Sequence, residues 1–177
     1  MNISKTRDVK TPTRGTEFSA GIDFYIPNDI ETGNLNNHLF IAPGESIVID
    51  SGIKIDLESL RDEVMTAFFG KHYNECLSKN SLSKIGVDLI FVDKSGIASK
   101  KSLLIVAKLI DQDYQGTVNI DLHNISNKNV ILEPGQKIAQ LKPELTFFPE
   151  IKVVDEDKLF DKATKRREGK FGSTGIK

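Results

Sequence analysis

Apolar residues recur at every second position along much of this chain, and that period restricts it to a fold built mainly from strands. In "ESIVIDSGIKIDL" (45–57), Ile47, Ile49, Ile53 and Ile55 fall on one phase. In "TVNIDLHN" (117–124), Val118, Ile120 and Leu122 alternate with Thr117, Asn119, Asp121 and His123. Side chains on a strand point to alternate faces, so both stretches predict strands with one buried face. "DLIFVD", "SLLIVAKLID" and "NVILEP" are further apolar, β-branched runs, bounded by turn residues such as "KSG", "DYQG" and "PGQ". Short strands at this spacing predict an all-β sandwich or barrel.

One segment departs from the period. Asp56 is suited to cap a helix, and Leu57, Leu60, Val64 and Phe68 then recur at helical spacing, with Tyr73, Cys76 and Leu77 continuing beyond Gly70. A helical insertion at about residues 57–85 is expected, its face of Leu60, Val64 and Phe68 packing on its own subunit or a neighbour. At the other end, "DKATKRREGKFGSTGIK" is basic and then glycine-rich, with Phe171 as its one large aromatic. It is expected to be a mobile tail.

The 177 residues suffice for one domain with a real core. With 24 Lys and Arg against 25 Asp and Glu, net charge −1 argues against bulk electrostatic binding to nucleic acid or an anionic membrane. The single cysteine, Cys76, cannot form an internal disulfide, and "MNISKTRDVK" lacks the apolar core of a signal peptide. No apolar run approaches membrane-spanning length. An intracellular, cytoplasmic location is expected, in a host cytoplasm if the source is viral. His38, His72, His123 and Cys76 show no metal-ligand spacing, no "GxSxG" turn occurs, and the terminal "GSTG" does not open a helix as a phosphate loop does.

"LIDQDYQG" (109–116) is different: an apolar strand ends by presenting two carboxylates and a phenol. Alone it reads as a polar turn closed by Gly116. Its neighbours change that reading. "SAGIDFYIP" (19–27), "DKSGIASKK" (93–101), "AKLIDQDYQG" (107–116), "PGQKIAQL" (134–141) and "REGKFGSTG" (167–175) resemble, in order, the five motifs of the trimeric dUTPases. Any one would occur by chance; five in sequence across most of the chain are specific. The resemblance implies a β-sandwich or distorted jelly-roll barrel at residues 1–161, with the insertion at about 57–85, followed by a lid tail at 162–177.

The activity so implied is attack of water on the α-phosphorus of dUTP, releasing dUMP and pyrophosphate in a homotrimer whose sites are shared between subunits. Such chemistry needs a base for the water, neutralisation of the triphosphate by Mg²⁺ and a few cationic or N–H donors, and a means of reading the base. By resemblance, Asp111 is the base and Tyr114 lies on the deoxyribose, leaving no room for a 2′-hydroxyl. In a fully extended strand these two side chains would point to opposite faces, so a bend between them is required. Asp113 is expected to serve the turn or a subunit contact.

Lys94, Ser95 and Gly96, Gln140, Arg166 or Arg167, and Ser173 with Thr174 match the phosphate-binding positions, and Phe171 matches the ring that stacks on uracil. Lys94 departs from the family's arginine, exchanging a bidentate fork for a single point charge. Asp23 is expected either to meet a hydrated Mg²⁺ or to brace the site. In the base-reading hairpin, about 101–110, Lys108 stands where glycine is common, and its side chain must point away for uracil to fit. A dCTP- or dUTP-acting relative of the same fold, and a regulatory binding protein on this fold, are the alternatives. The Asp-x-x-Tyr and the glycine-rich ending argue against the first.

Overall fold

The computed structural model describes residues 1–30, 32, 38–72 and 84–164. Twelve strands and two α-helices appear among them. In chain order these are β1 (Asn2–Lys5), β2 (Thr13–Arg14), β3 (Ile22–Tyr25), β4 (Leu39–Ile41), β5 (Ser46–Asp50), β6 (Ile53–Asp56), α1 (Leu57–Phe69), β7 (Ile85–Asp93), α2 (Ser95–Lys101), β8 (Leu103–Ile105), β9 (Leu109–Ile110), β10 (Asn119–Asn124), β11 (Val130–Leu132) and β12 (Lys137–Phe147). The fold is all-β, as the alternation requires. A five-stranded sheet runs β2-β3-β12-β7-β9, and β5-β10-β8, β1-β6 and β4-β11 form smaller sheets. The pairings are antiparallel throughout.

The two phases sort as expected. Ile49, Ile53, Ile55, Val118, Ile120 and Leu122 are buried, whereas Val48 on the opposite phase faces out. The core between the sheets is aliphatic, with Phe24 and Phe91 packed edge to face, ring centroids 5.3 Å apart. "SLLIVAKLID" is not one strand: it divides into β8 and β9, and β9 pairs with β7 through Leu89–Ile110 and Ile90–Leu109.

The helical insertion begins where its cap predicts. The Asp56 carboxylate accepts from the Ser59 N–H at 3.0 Å, satisfying one of the first-turn donors. Leu57, Leu60 and Met65 are buried and Val64 packs beside them, yet Phe68 is 68% exposed. The expected apolar face therefore stops short, because residues 66–70 are all exposed. Gly70 ends the helix at φ +56°, a conformation that glycine adopts without strain. Tyr73, Cys76 and Leu77 lie outside the described residues, as do residues 165–177 of the tail. No helix among the described residues is long and apolar enough to cross a membrane.

Candidate active site

The antiparallel ladder between β7 and β9 stops at Leu89–Ile110, and the chain then turns. The Tyr114 N–H donates to the Asp111 carbonyl at 3.0 Å, closing a four-residue turn. This is the bend that the opposing strand faces of Asp111 and Tyr114 demanded. It brings both side chains to the wall of one cavity of about 200 Å³, together with Ala107, Leu109, Ile110, Val118 and Asn119. The Tyr114 hydroxyl donates to the Thr117 carbonyl at 2.9 Å, which fixes the ring across the turn. Gly116 permits that ring position, since a Cβ there would overlap the phenol.

Lys108 is not among the residues lining the cavity. Its Nζ instead lies 3.9 Å from Asp93 Oδ2, while its carbonyl accepts from the Phe91 N–H at 2.8 Å. The side chain thus points away from the cavity. Asp111 also borders a second cavity, about 400 Å³, with Asp88, Gln112, Asp113 and Phe148.

A second cluster forms around Asp23 on β3, which is only 2% exposed. Register places Gln140 of β12 opposite Asp23, and the Gln140 Nε2 donates to Asp23 Oδ1 at 3.0 Å. Gly21 makes that approach possible, because a Cβ there would sit 2.8 Å from Gln140 Cβ. Lys94, which precedes α2, donates to Asp23 Oδ1 at 2.9 Å, and Lys137 Nζ lies 2.7 Å from Oδ2. Ser95 and Gly96 follow Lys94 as the first residues of α2. Burial alone would raise the Asp23 pKa, but the hydrogen bonds from Lys137 and Lys94, the Lys94 charge and the Gln140 amide outweigh it and hold the carboxyl below its usual range. The same contact with Asp23 raises Lys137.

Lys137 was not singled out in the sequence, although it stands in "PGQKIAQL" three residues before Gln140. The irregular register between Lys137 and Ala139 is what lets Lys137 and Gln140 converge on one carboxylate. The described residues contain no group of three or more His, Cys, Asp or Glu suited to hold a metal ion. Asp23, the expected contact to a hydrated Mg²⁺, has lysine ammoniums on both oxygens, so its surroundings fit bracing better than metal binding. Arg166, Arg167, Phe171, Ser173 and Thr174 lie outside the described residues.

Comparison with known proteins gives this arrangement a family. The dUTPase family model matches residues 55–175. The deoxyuridine 5'-triphosphate nucleotidohydrolase of Yarrowia lipolytica is 40% identical over 96% of this chain and 84% of its own length. Among solved structures, the dUTPase of Staphylococcus bacteriophage 80alpha with dUPNHPP superposes at TM-score 0.70, with 20% identity over 99% of this chain and 98% of that one. A mutant dUTPase of phage phi11 of S. aureus, whose structure shows a structural Mg(II) ion, superposes at 0.61, with 18% identity over 88% of this chain and 96% of that one. At these identities the structures show a shared fold; together with the family match and the Yarrowia relative, they place the chain in the dUTPase family.

Proposed function

We propose that this chain hydrolyses dUTP to dUMP and pyrophosphate, with Asp111 taking the proton from the attacking water. The observation that carries the reading is the Asp111–Tyr114 turn, which puts a carboxylate and a phenol ring on one cavity wall. Asp111 positions and deprotonates the water beside the α-phosphorus. Tyr114, fixed to Thr117, lies flat on the deoxyribose and excludes a 2′-hydroxyl. Uracil is read by main-chain groups of the hairpin around Ala107 and Leu109, past which Lys108 directs its side chain.

Lys94, Lys137 and Gln140, held together by Asp23, form the phosphate-facing group, with Ser95 and Gly96 beside them. Mg²⁺ would enter with the triphosphate rather than on Asp23, whose oxygens both meet lysine, and would supply neutralisation of phosphate charge. Residues 162–177 act as a lid over the domain of residues 1–161. In it Arg166 or Arg167, Ser173 and Thr174 meet phosphate, and Phe171 covers the base.

One distance supports a site shared between subunits of a homotrimer. Asp111 leaves β9 one step beyond Leu89–Ile110, level with Asp88, whereas Lys94 follows the far end of β7. Six residues of strand separate the two levels by roughly 20 Å. So wide a separation of the two levels in one chain favours an arrangement in which the carboxylate of one chain serves phosphates held by a neighbour. Pyrophosphate release measured in parallel with dUTP, dCTP, dTTP and UTP, with Mg²⁺ and with chelator, tests the reading. Preference for dCTP, or no release from dUTP, overturns it.

A further inference from the structure

Strand β7 holds the Asp111 turn through side chains after its backbone ladder with β9 has ended. On this edge the Phe91 N–H bonds the Lys108 carbonyl, and Leu89 pairs with Ile110. The next outward donor is the Val87 N–H, but the partner chain has already turned away. Gln112 replaces the missing carbonyl: its Oε1 accepts from the Val87 N–H at 3.0 Å. In return, the Gln112 backbone N–H donates to Asp88 Oδ1, also at 3.0 Å. Two reciprocal bonds therefore clamp the residue that directly follows Asp111.

Several features show that the clamp is built rather than incidental. Asp88 is only 5% exposed, and a carboxylate is buried at a cost that a charge-assisted hydrogen bond offsets. Gly86 leaves room for the clamp, because a Cβ there would overlap both Gln112 Oε1 and the Phe148 ring. Phe148 is itself tied down, its N–H donating to the Lys84 carbonyl at 2.7 Å. Asp88, Asp111, Gln112 and Phe148 border one cavity.

We infer that Asp88 and Gln112 are positioning residues for hydrolysis: their reciprocal bonds fix the main chain at Asp111, and with it the direction of the carboxylate. Neither residue is required to touch nucleotide. This rests on Asp111 being the base, as proposed above. A misdirected base slows the chemical step and leaves substrate binding alone.

The test uses the full chain with dUTP. Asp88→Ala is expected to lower kcat about 10-fold or more, keep KM within about twofold, and hasten hydrogen exchange at the Gln112 amide. Asp88→Asn keeps an oxygen that accepts from the Gln112 N–H, and is expected to recover most of the turnover. Gln112→Met removes the other bond at similar length, and covers the case in which Asp88→Ala does not fold; it should show the same kcat-selective loss. Wild-type kcat in both clamp-breaking variants, a loss confined to KM, or equal loss in Asp88→Asn and Asp88→Ala would overturn the inference. If the wild-type chain fails to hydrolyse dUTP, the functional reading falls. The Gln112 exchange rate then still judges the clamp, and an unchanged rate in Asp88→Ala rejects it.

Discussion

Lys137 Nζ lies 2.7 Å from Asp23 Oδ2, so the most deeply buried carboxylate of the candidate site is held ionised by a lysine from the neighbouring strand. Lys94 and Gln140 complete its partners. Asp23→Asn removes the charge and should lower the melting temperature on the order of 5 °C at neutral pH. It should also raise KM for dUTP, because both lysines lose their anchor. The folded-state pKa of Asp23 is depressed, so its stabilisation is present above the ordinary value of 3.8 and is lost as pH falls through the lower folded-state value. Lys137 is raised above 10.5, so its contribution holds at neutral pH and disappears as pH rises through the raised value. Melting curves of wild type and Asp23→Asn should converge at both extremes; a constant gap down to the most acid pH would contradict this.

Asp111→Asn keeps the shape of the turn and removes the base. Turnover of dUTP should fall on the order of 10²-fold, about 2.7 kcal/mol in the barrier, while affinity for a non-hydrolysable analogue stays close to wild type. Steady-state kinetics with parallel calorimetry separates the two. Undiminished turnover would remove Asp111 from its role.

Gly116→Ala places a Cβ against the Tyr114 phenol and must displace the ring or break its bond to Thr117. If the ring is the sugar filter, the variant should lose discrimination between dUTP and UTP about 10-fold or more, with dUTP turnover less affected. The ratio of kcat/KM for the two nucleotides is the measurement. An unchanged ratio would place the filter elsewhere.

These relationships were legible in the sequence to different degrees. The strands were, because Ile47, Ile49, Ile53 and Ile55 share one phase, as do Val118, Ile120 and Leu122. The bend between Asp111 and Tyr114 was also legible, since two residues on opposite strand faces cannot line one cavity without it. Phe68 was not: spacing fixes the direction of a helix face but not how far the helix overhangs the core. The convergence of Lys137 on Asp23 was hidden for another reason. It depends on the pairing of distant strands and on an irregular register between Lys137 and Ala139, neither of which leaves a local pattern. The bonds joining Asp88 and Gln112 were hidden likewise, because they arise where one ladder ends.

Truncation before Lys165 removes Arg166, Arg167, Phe171, Ser173 and Thr174 together. If these residues close over bound nucleotide, turnover should fall by orders of magnitude. Thermal stability and subunit number should remain nearly unchanged, since the core between the sheets is untouched. A full hydrolysis rate in the truncated chain would end the lid proposal and leave family membership standing.

Mixing subunits tests the shared site directly. Asp111→Asn trimers lack the base, and Lys94→Ala trimers lack an intact phosphate-binding cluster, so each alone should be nearly inactive. The backbone levels of Asp111 and Lys94 are roughly 20 Å apart along β7 in one chain, and in the proposed trimer each site draws Asp111 from one subunit and Lys94 from the next. After unfolding and refolding a 1:1 mixture, a site works when the first subunit carries Lys94→Ala and the second carries Asp111→Asn. Random cyclic assembly satisfies both conditions at about one site in four, and dUTP hydrolysis should return to about that fraction of the wild-type rate. If every site were contained in one chain, mixing would restore nothing. A monomer by light scattering at assay concentration would exclude the arrangement altogether.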